Sequence, residues 1–200
     1  MSPAEVGERL LAVLGSPEGS SYDVSYGAVT VDVPRGSWLA GLEAARTDDQ
    51  LELAFFDWLS AVDELAEGYS VVVHLYSPTR HHHLLLRTKV PLDDARLPSA
   101  TGVFAGAGWH ERETWEMFGI DFADHPGLVP LLLPDGFEGH PLRKEFVLAS
   151  RVAKPWPGAK EPGEGPESAP ARRPMRPPGV PDPDEWGPQA GRSDALESGD

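Results

Sequence analysis

YSVVVHLYSPTRHHHLLLRTKV, residues 69–90, decides the fold class. Residues 69–76 are rich in β-branched and aromatic side chains, residues 82–90 carry Leu84, Leu85, Leu86, Thr88 and Val90, and the turn-prone Ser77-Pro78-Thr79 lies between them. The stretch therefore reads as two long strands joined by a turn. Outward on the N-terminal side, Phe55, Phe56, Trp58 and Leu59 form an aromatic cluster expected in the core. Ser37 is placed to cap a helix over residues 38–46 that turns Leu39 and Leu42 inward. Residues 22–26 and 28–33 alternate on either side of Gly27 and predict a hairpin. Val6, Leu10, Leu11 and Leu14 recur at helical spacing and end at Gly15, which predicts a helix over 3–14. On the C-terminal side, residues 93–98 read as a loop. Residues 100–118 read largely as helix, loosened near Gly106 and Gly108 and stopped by Gly119. The order predicts an α+β domain: a mostly antiparallel sheet with helices packed on it, followed by an irregular arm.

Two hundred residues allow one domain with a real core, assigned here to residues 1–150. Beyond it the composition turns to Pro and Gly with scattered apolar residues, so 151–200 is expected to be a disordered tail, partly polyproline II. It reads as a solvated extension; the sharper alternative is a strap across a partner, anchored by Trp156, Met175 and Trp186. The formal net charge of -15 argues against nucleic acid and against anionic lipid as direct partners, since both favour clustered Lys and Arg. The chain has no cysteine, which excludes disulfides, thiolate zinc sites and an iron–sulfur cluster on its own thiolates. No signal peptide is recognised, and no stretch approaches the roughly 20 apolar residues of a membrane span. The chain is expected in the cytoplasm, reaching a membrane only through a protein partner.

The most unusual segment is WHERETWEMFGIDFADHPGLVPLLLPDGFEGHPLRKEF, residues 109–146. Glu111, Trp115 and Phe118 fall on one helical face. Arg112 and Glu116 sit four apart on another, at the spacing where they can pair. A helix that mixes charges into its apolar stripe either leans its charges into solvent or is buried on several sides. Buried charges need partners, and Arg143 and Lys144 are the candidates within the chain. His125-Pro126 and His140-Pro141 mark two extended corners, with an apolar run at 128–133 and a Pro-Asp-Gly turn at 134–136 between them. Such an arm has little repetitive hydrogen bonding of its own and must borrow support from another surface.

A free metalloenzyme is the competing reading. His110, Glu111, Glu113, His125 and His140 invite it, but the zinc-protease pattern needs a second His where Thr114 stands. His81, His82 and His83 sit at a strand start, where alternation sends the middle ring to the opposite face. The run reads as a solvated edge, with adventitious metal binding as the alternative. No nucleophile elbow, P-loop or GxGxxG is present.

The segments ERETWEMFGIDFADHP and GHPLRKEF resemble the signature of the 30 kDa subunit family of respiratory complex I, the C-type subunit of the bacterial NADH-quinone oxidoreductase. FFDWLSAVDE, SVVVHLYS and LLLRTKV also resemble family segments, so the likeness extends over most of residues 5–150. Val129 and Pro130 stand where the family pattern has an arginine pair, Glu145 replaces its Asp, and Val147 stands where Pro is common. The resemblance implies a non-catalytic subunit of the peripheral arm of a proton-translocating NADH-quinone oxidoreductase, lying on the cytoplasmic side of the membrane beside the 49 kDa, D-type subunit. FMN and iron–sulfur clusters would sit in partner subunits and none in this chain. It further implies a subunit interface built from Glu111, Arg112, Glu113, Trp115, Phe118, His125, His140, Arg143 and Lys144. The alternative is the equivalent subunit of a membrane-bound hydrogenase, or of a complex with a donor other than NADH.

Overall fold

In the computed structural model, β4 (Tyr69–Ser77) and β5 (His82–Val90) pair antiparallel without a break, from Tyr69 opposite Val90 to Ser77 opposite His82. The structure describes residues 1–147, so the expected tail lies outside the described residues. α1 (Pro3–Val13) begins at a capping box in which Ser2 and Glu5 exchange side-chain and main-chain bonds. β1 (Ser21–Ser25) and β2 (Ala28–Asp32) form the predicted hairpin. α2 (Trp38–Thr47) precedes β3 (Phe55–Asp63), which adds antiparallel to β4. β2 joins the other side of the sheet by running parallel to β5, giving the strand order β1-β2-β5-β4-β3. β6 (Arg96–Pro98), α3 (Ala107–Phe118) and β7 (Asp121–Ala123) complete the regular elements.

One face of the sheet is covered and the other is open. Along β4, Val71, Val73 and Leu75 are buried, while Val72, His74 and Tyr76 between them remain half-buried. The covered face also holds Val29, Val31, Leu59, Leu84 and Leu86, packed with Val6 and Leu10 of α1 and Trp38, Leu42 and Ala45 of α2. Complete burial of side chains such as Leu86 and Leu42 contributes roughly 1.5–3 kcal/mol each. Gly7 lets α1 approach this closely: a Cβ there would lie 2.9 Å from Cγ2 of Val29.

Several expectations are corrected. The aromatic cluster is not core as a unit: Phe55 is 52% and Trp58 37% exposed, Phe56 is half-buried, and only Leu59 is fully covered. The segment is a strand, so alternation and a bulge between Phe56 and Trp58 sort its side chains onto different faces. Ser37 makes no side-chain cap; it ends a 3₁₀ turn that leads into α2, and Trp38 rather than Leu39 takes the deepest inward position. The expected loop at 93–98 contains β6, whose three residues pair parallel with β7 and are too few to show a period. α3 begins only at Ala107, after a separate 3₁₀ turn at Ala100–Gly102. Among the described residues no helix is long and apolar enough to cross a membrane.

Candidate functional site

α3 buries Ala107, Glu111, Thr114 and Phe118 against the body, and its Arg112 and Glu116 side chains and C-terminal end receive the arm, residues 124–147. Glu111 has no exposed surface. Its carboxyl oxygens accept from the Ala100 N–H and from the Ser99 hydroxyl, each at 2.6 Å. Burial pushes its pKa above the ordinary carboxylate range, against the opposing pull of those two donors. His125 stands 3.9 Å from Glu111, yet its ring is already committed. Nδ1 accepts from the Gly127 N–H at 3.0 Å and Nε2 donates to the Gly108 carbonyl at 3.1 Å. That pattern is the neutral tautomer, so the two residues are neighbours and not an ion pair.

Arg112 and Glu116 do not pair with each other, contrary to expectation. Each instead holds the arm by its main chain. Arg112 donates to the carbonyls of Val129 (2.9 Å) and Pro130 (2.7 Å) and lies over the Trp109 ring. Glu116 accepts from three successive amides, Leu131 (3.1 Å), Leu132 (2.8 Å) and Leu133 (3.0 Å). Burial raises the Glu116 pKa, but those donors and the Arg112 charge outweigh it, and the net shift is downward. The part-buried amides of Leu131–Leu133 have no ladder to bond to, and Glu116 supplies their acceptor, while Arg112 ties down two exposed carbonyls.

The arm returns the support by closing the end of the helix. The carbonyls of Glu116, Met117 and Phe118 would lack helical partners. They accept from His140 Nδ1 (2.8 Å), the Leu142 N–H (3.1 Å) and Arg143 Nε (2.7 Å). The cation of Arg143 thereby sits at the negative end of the helix dipole. Gly119 makes this approach possible. Its φ is +75°, and a Cβ there would fall 2.6 Å from His140 Nε2 and collide with the Arg143 guanidinium.

Arg143 also lies over the Tyr69 ring, and Tyr69 meets Phe118 edge-on. The expectation that Arg143 and Lys144 bind carboxylates is met only indirectly. The main bond of Arg143 goes to a carbonyl, with Glu145 at 3.8 Å. Lys144 engages Asp63 through its main-chain N–H, at 2.8 Å. Glu113 is exposed, and Trp115 is half-buried in a groove with Glu116, Pro130, Leu133 and His140. Val129, Leu132 and Leu142 of the arm and Trp109 of α3 stand exposed.

Sequence reading missed Asp63, Ser99 and Tyr69 as parts of this unit. Asp63 closes the loop after β3 by also accepting from the Leu65 N–H, a role that no spacing rule assigns to it. The His81–His83 run is corrected in part. His82 is buried, and its Nε2 donates to the Leu51 carbonyl at 2.7 Å; burial lowers its pKa. Among the described residues no group of three or more His, Cys, Asp or Glu is arranged to hold a metal ion.

A family model described as "Respiratory-chain NADH dehydrogenase, 30 Kd subunit" matches residues 31–152. The C-type subunit of the NADH-quinone oxidoreductase of Rhizobium rhizogenes is 40% identical over 136 residues, 66% of this chain and 67% of its own length. Its counterpart in Methylorubrum populi is 39% identical over 150 residues, 74% of this chain and 67% of its own length. Among solved structures, the trypsin-resistant fragment (1–134) of Nqo5 superposes with a TM-score of 0.54 at 26% identity, covering 64% of this chain and 100% of that one. A chain of the membrane-bound sulfane sulfur reductase, an archaeal respiratory membrane complex, superposes with a TM-score of 0.62. At 22% identity over 72% of this chain and 85% of that one, the second likeness is one of fold alone.

Proposed function

The chain belongs to the family of the 30 kDa subunit of the respiratory-chain NADH dehydrogenase, and from that premise we propose that it is a non-catalytic scaffold subunit in the peripheral arm of an NADH-quinone oxidoreductase. The partner in contact with it is the 49 kDa, D-type subunit, and the assembly lies on the cytoplasmic side of the membrane. Flavin and iron–sulfur clusters reside in neighbouring subunits, and this chain carries none. The observation that carries the reading is the arm clasped on α3. Its charged residues are bonded to the chain's own main chain, which fixes an irregular surface of exposed Leu132, Leu142, Val129 and Trp109. Exposed apolar side chains of this kind, with the exposed charges of Glu113, Lys144 and Glu145 on the same segments, suit the docking of a protein. The nine residues assigned to an interface then divide. Glu113, Trp115 and Lys144 are placed to touch the partner, while Glu111, Arg112, Phe118, His125, His140 and Arg143 hold the surface in shape. The loss of the arginine pair at Val129 and Pro130 leaves this clasp intact, because Arg112 reads those positions by their carbonyls.

A second reading is favoured by the fold likeness to the sulfane sulfur reductase chain: the equivalent subunit of a membrane complex with another electron donor, or of a hydrogenase. Purification of the chain from its native membrane, with partners identified by mass spectrometry, tests both. Recovery with a D-type subunit and the NADH-binding, flavin-bearing subunits is the expected result. Recovery with a nickel–iron catalytic subunit and no NADH-binding subunit selects the second reading, and recovery of the chain alone overturns both. The purified chain by itself should neither oxidise NADH nor absorb in the visible range.

A further inference from the structure

The open face of the sheet carries a polar cluster that the scaffold reading does not use. β4 and β5 place His74 opposite Leu85 and Tyr76 opposite His83, so His74 and His83 are diagonal neighbours on one face. Their rings meet nitrogen to nitrogen, His74 Nε2 to His83 Nδ1, at 3.0 Å. Behind His74, the Asp57 carboxylate lies 2.8 Å from Nδ1. A carboxylate only accepts, so Nδ1 carries the proton and Nε2 presents its lone pair toward His83. Asp57 reaches this position because it is the extra residue of the bulge between Phe56 and Trp58. Regular alternation would send Asp57 and Trp58 to opposite faces; the bulge re-aims the carboxylate onto the open side. Trp58, opposite His74 in the ladder, lies parallel to its ring within 16° and limits its rotation.

We propose that His74 and His83 form a two-imidazole site for a divalent transition-metal ion, with Asp57 as the positioning residue behind His74 and water completing the coordination. Two imidazole nitrogens on one tetrahedral zinc ion lie roughly 3.3 Å apart, close to the 3.0 Å found here, so the metal is admitted by a small opening together with a tilt of both rings that turns their lone pairs from each other toward the ion. The metal replaces an exposed hydrogen bond that contributes little in water; His83 moves its ring proton from Nδ1 to Nε2 through solvent, so that Nδ1 offers a lone pair to the metal. Imidazole pairs select zinc, copper or nickel over magnesium or calcium. Of the neighbouring histidines, His82 is buried and bonded to Leu51, and His81 turns its Nδ1 to the Tyr76 hydroxyl at 3.0 Å and not to the pair. The chain's seven histidines all lie within residues 74–140, so the tail brings no imidazole.

The test is calorimetric titration of the full chain, purified without a polyhistidine tag, with Zn²⁺ and separately with Mg²⁺. One Zn²⁺ per chain and no Mg²⁺ uptake is expected. His74→Ala and His83→Ala should each weaken Zn²⁺ binding by at least about tenfold. Asp57→Ala should weaken it about tenfold through loss of orientation, and His81→Ala should leave it unchanged. In the wild-type chain, the ring resonances of His74 and His83 should move on zinc addition while those of His82 stay, a readout that needs no variant to fold. Absence of saturable uptake up to about 1 mM Zn²⁺ overturns the proposal. So does binding that survives His74→Ala but is lost in His81→Ala, which would place the metal on the histidine run instead.

Discussion

The β4–β5 pair and the arm at 124–147 are held by opposite means. In the strand pair, the main chain bonds to itself along nine residue pairs, and the side chains are left to pack. In the arm, few main-chain bonds repeat, and side chains of α3 supply donors and acceptors one at a time. A ladder tolerates many sequences so long as one face stays apolar. The clasp depends on particular residues at particular positions, because Arg112, Glu116, His140 and Arg143 each meet a named main-chain group. The dense signature at 109–146 is therefore the imprint of a structure with no ladder, and charge there marks internal bonding before it marks a partner.

The largest expected effect lies in the body. Leu86 is fully buried at the centre of the sheet, against Gly41 of α2. Leu86→Ala should cost about 2–5 kcal/mol and lower the thermal midpoint of the whole domain. Hydrogen exchange should accelerate in strands and arm together. Unchanged strand protection in that variant would break the claim that the sheet is the cooperative centre.

Next comes the junction. Gly119→Ala forces a Cβ into a positive-φ position and into His140 and Arg143. The strain and lost bonds should cost about 2–3 kcal/mol. The amides of Leu131, Leu132 and Leu133 should lose protection while those of β4 and β5 keep it. Equal loss in both regions would show that arm and body unfold as one unit, and the comparison would fail.

A smaller effect is expected within the clasp. Glu116→Gln retains one carbonyl oxygen for three amides and turns an NH₂ toward the others. It should cost about 1–3 kcal/mol. Limited proteolysis between residues 127 and 139 should quicken while circular dichroism of the body stays unchanged. A resistant arm would mean that its apolar residues, and not Glu116, hold it.

These contrasts explain what was legible beforehand. The two long strands could be read because period-2 burial persists over seven residues of β4, from Val71 to Ser77, and over all nine of β5. β6 could not, since three residues carry no period and its partner β7 lies beyond α3 in the chain. The arm's need for support was readable from its missing periodicity and its two His-Pro corners. Its source was not. The four-residue spacing of Arg112 and Glu116 matches a surface ion pair, but such a pair stabilises by only about 0.2–0.5 kcal/mol. Arg112 reaches two carbonyls of the arm and Glu116 three amides; several such bonds, at about 0.5–1.5 kcal/mol each, outweigh one surface pair, so the arm's main chain wins both side chains. Phe55 and Trp58 were misplaced for a related reason: their composition suggested core, while the strand and its bulge decided the face.

The smallest and most discriminating effect concerns two carboxylates of one helix. Glu111 and Glu116 share an ordinary reference pKa of 4.5, and their surroundings drive them in opposite directions. Burial raises Glu111, so the folded protein holds that proton more tightly than the unfolded chain does. Its contribution is fully present below the unfolded pKa and is lost as pH rises through the raised folded value. For Glu116, burial is outweighed by the Leu131–Leu133 amides and Arg112, and the folded value is lowered. Its contribution is present above the unfolded pKa and is lost as pH falls through the lowered value. Glu111→Gln and Glu116→Gln each remove one of these titrations, and subtracting each variant's stability from that of wild type cancels every other group. Between about pH 4 and pH 8, the wild-type advantage over Glu111→Gln should shrink as pH rises. The advantage over Glu116→Gln should grow, with most of the change toward the acid end. Urea midpoints across that range measure both curves. Slopes of the same sign would mean that the arm's amides do not reach Glu116 in solution, and the distinction between a carboxylate buried against the body and one that clasps the arm would not stand.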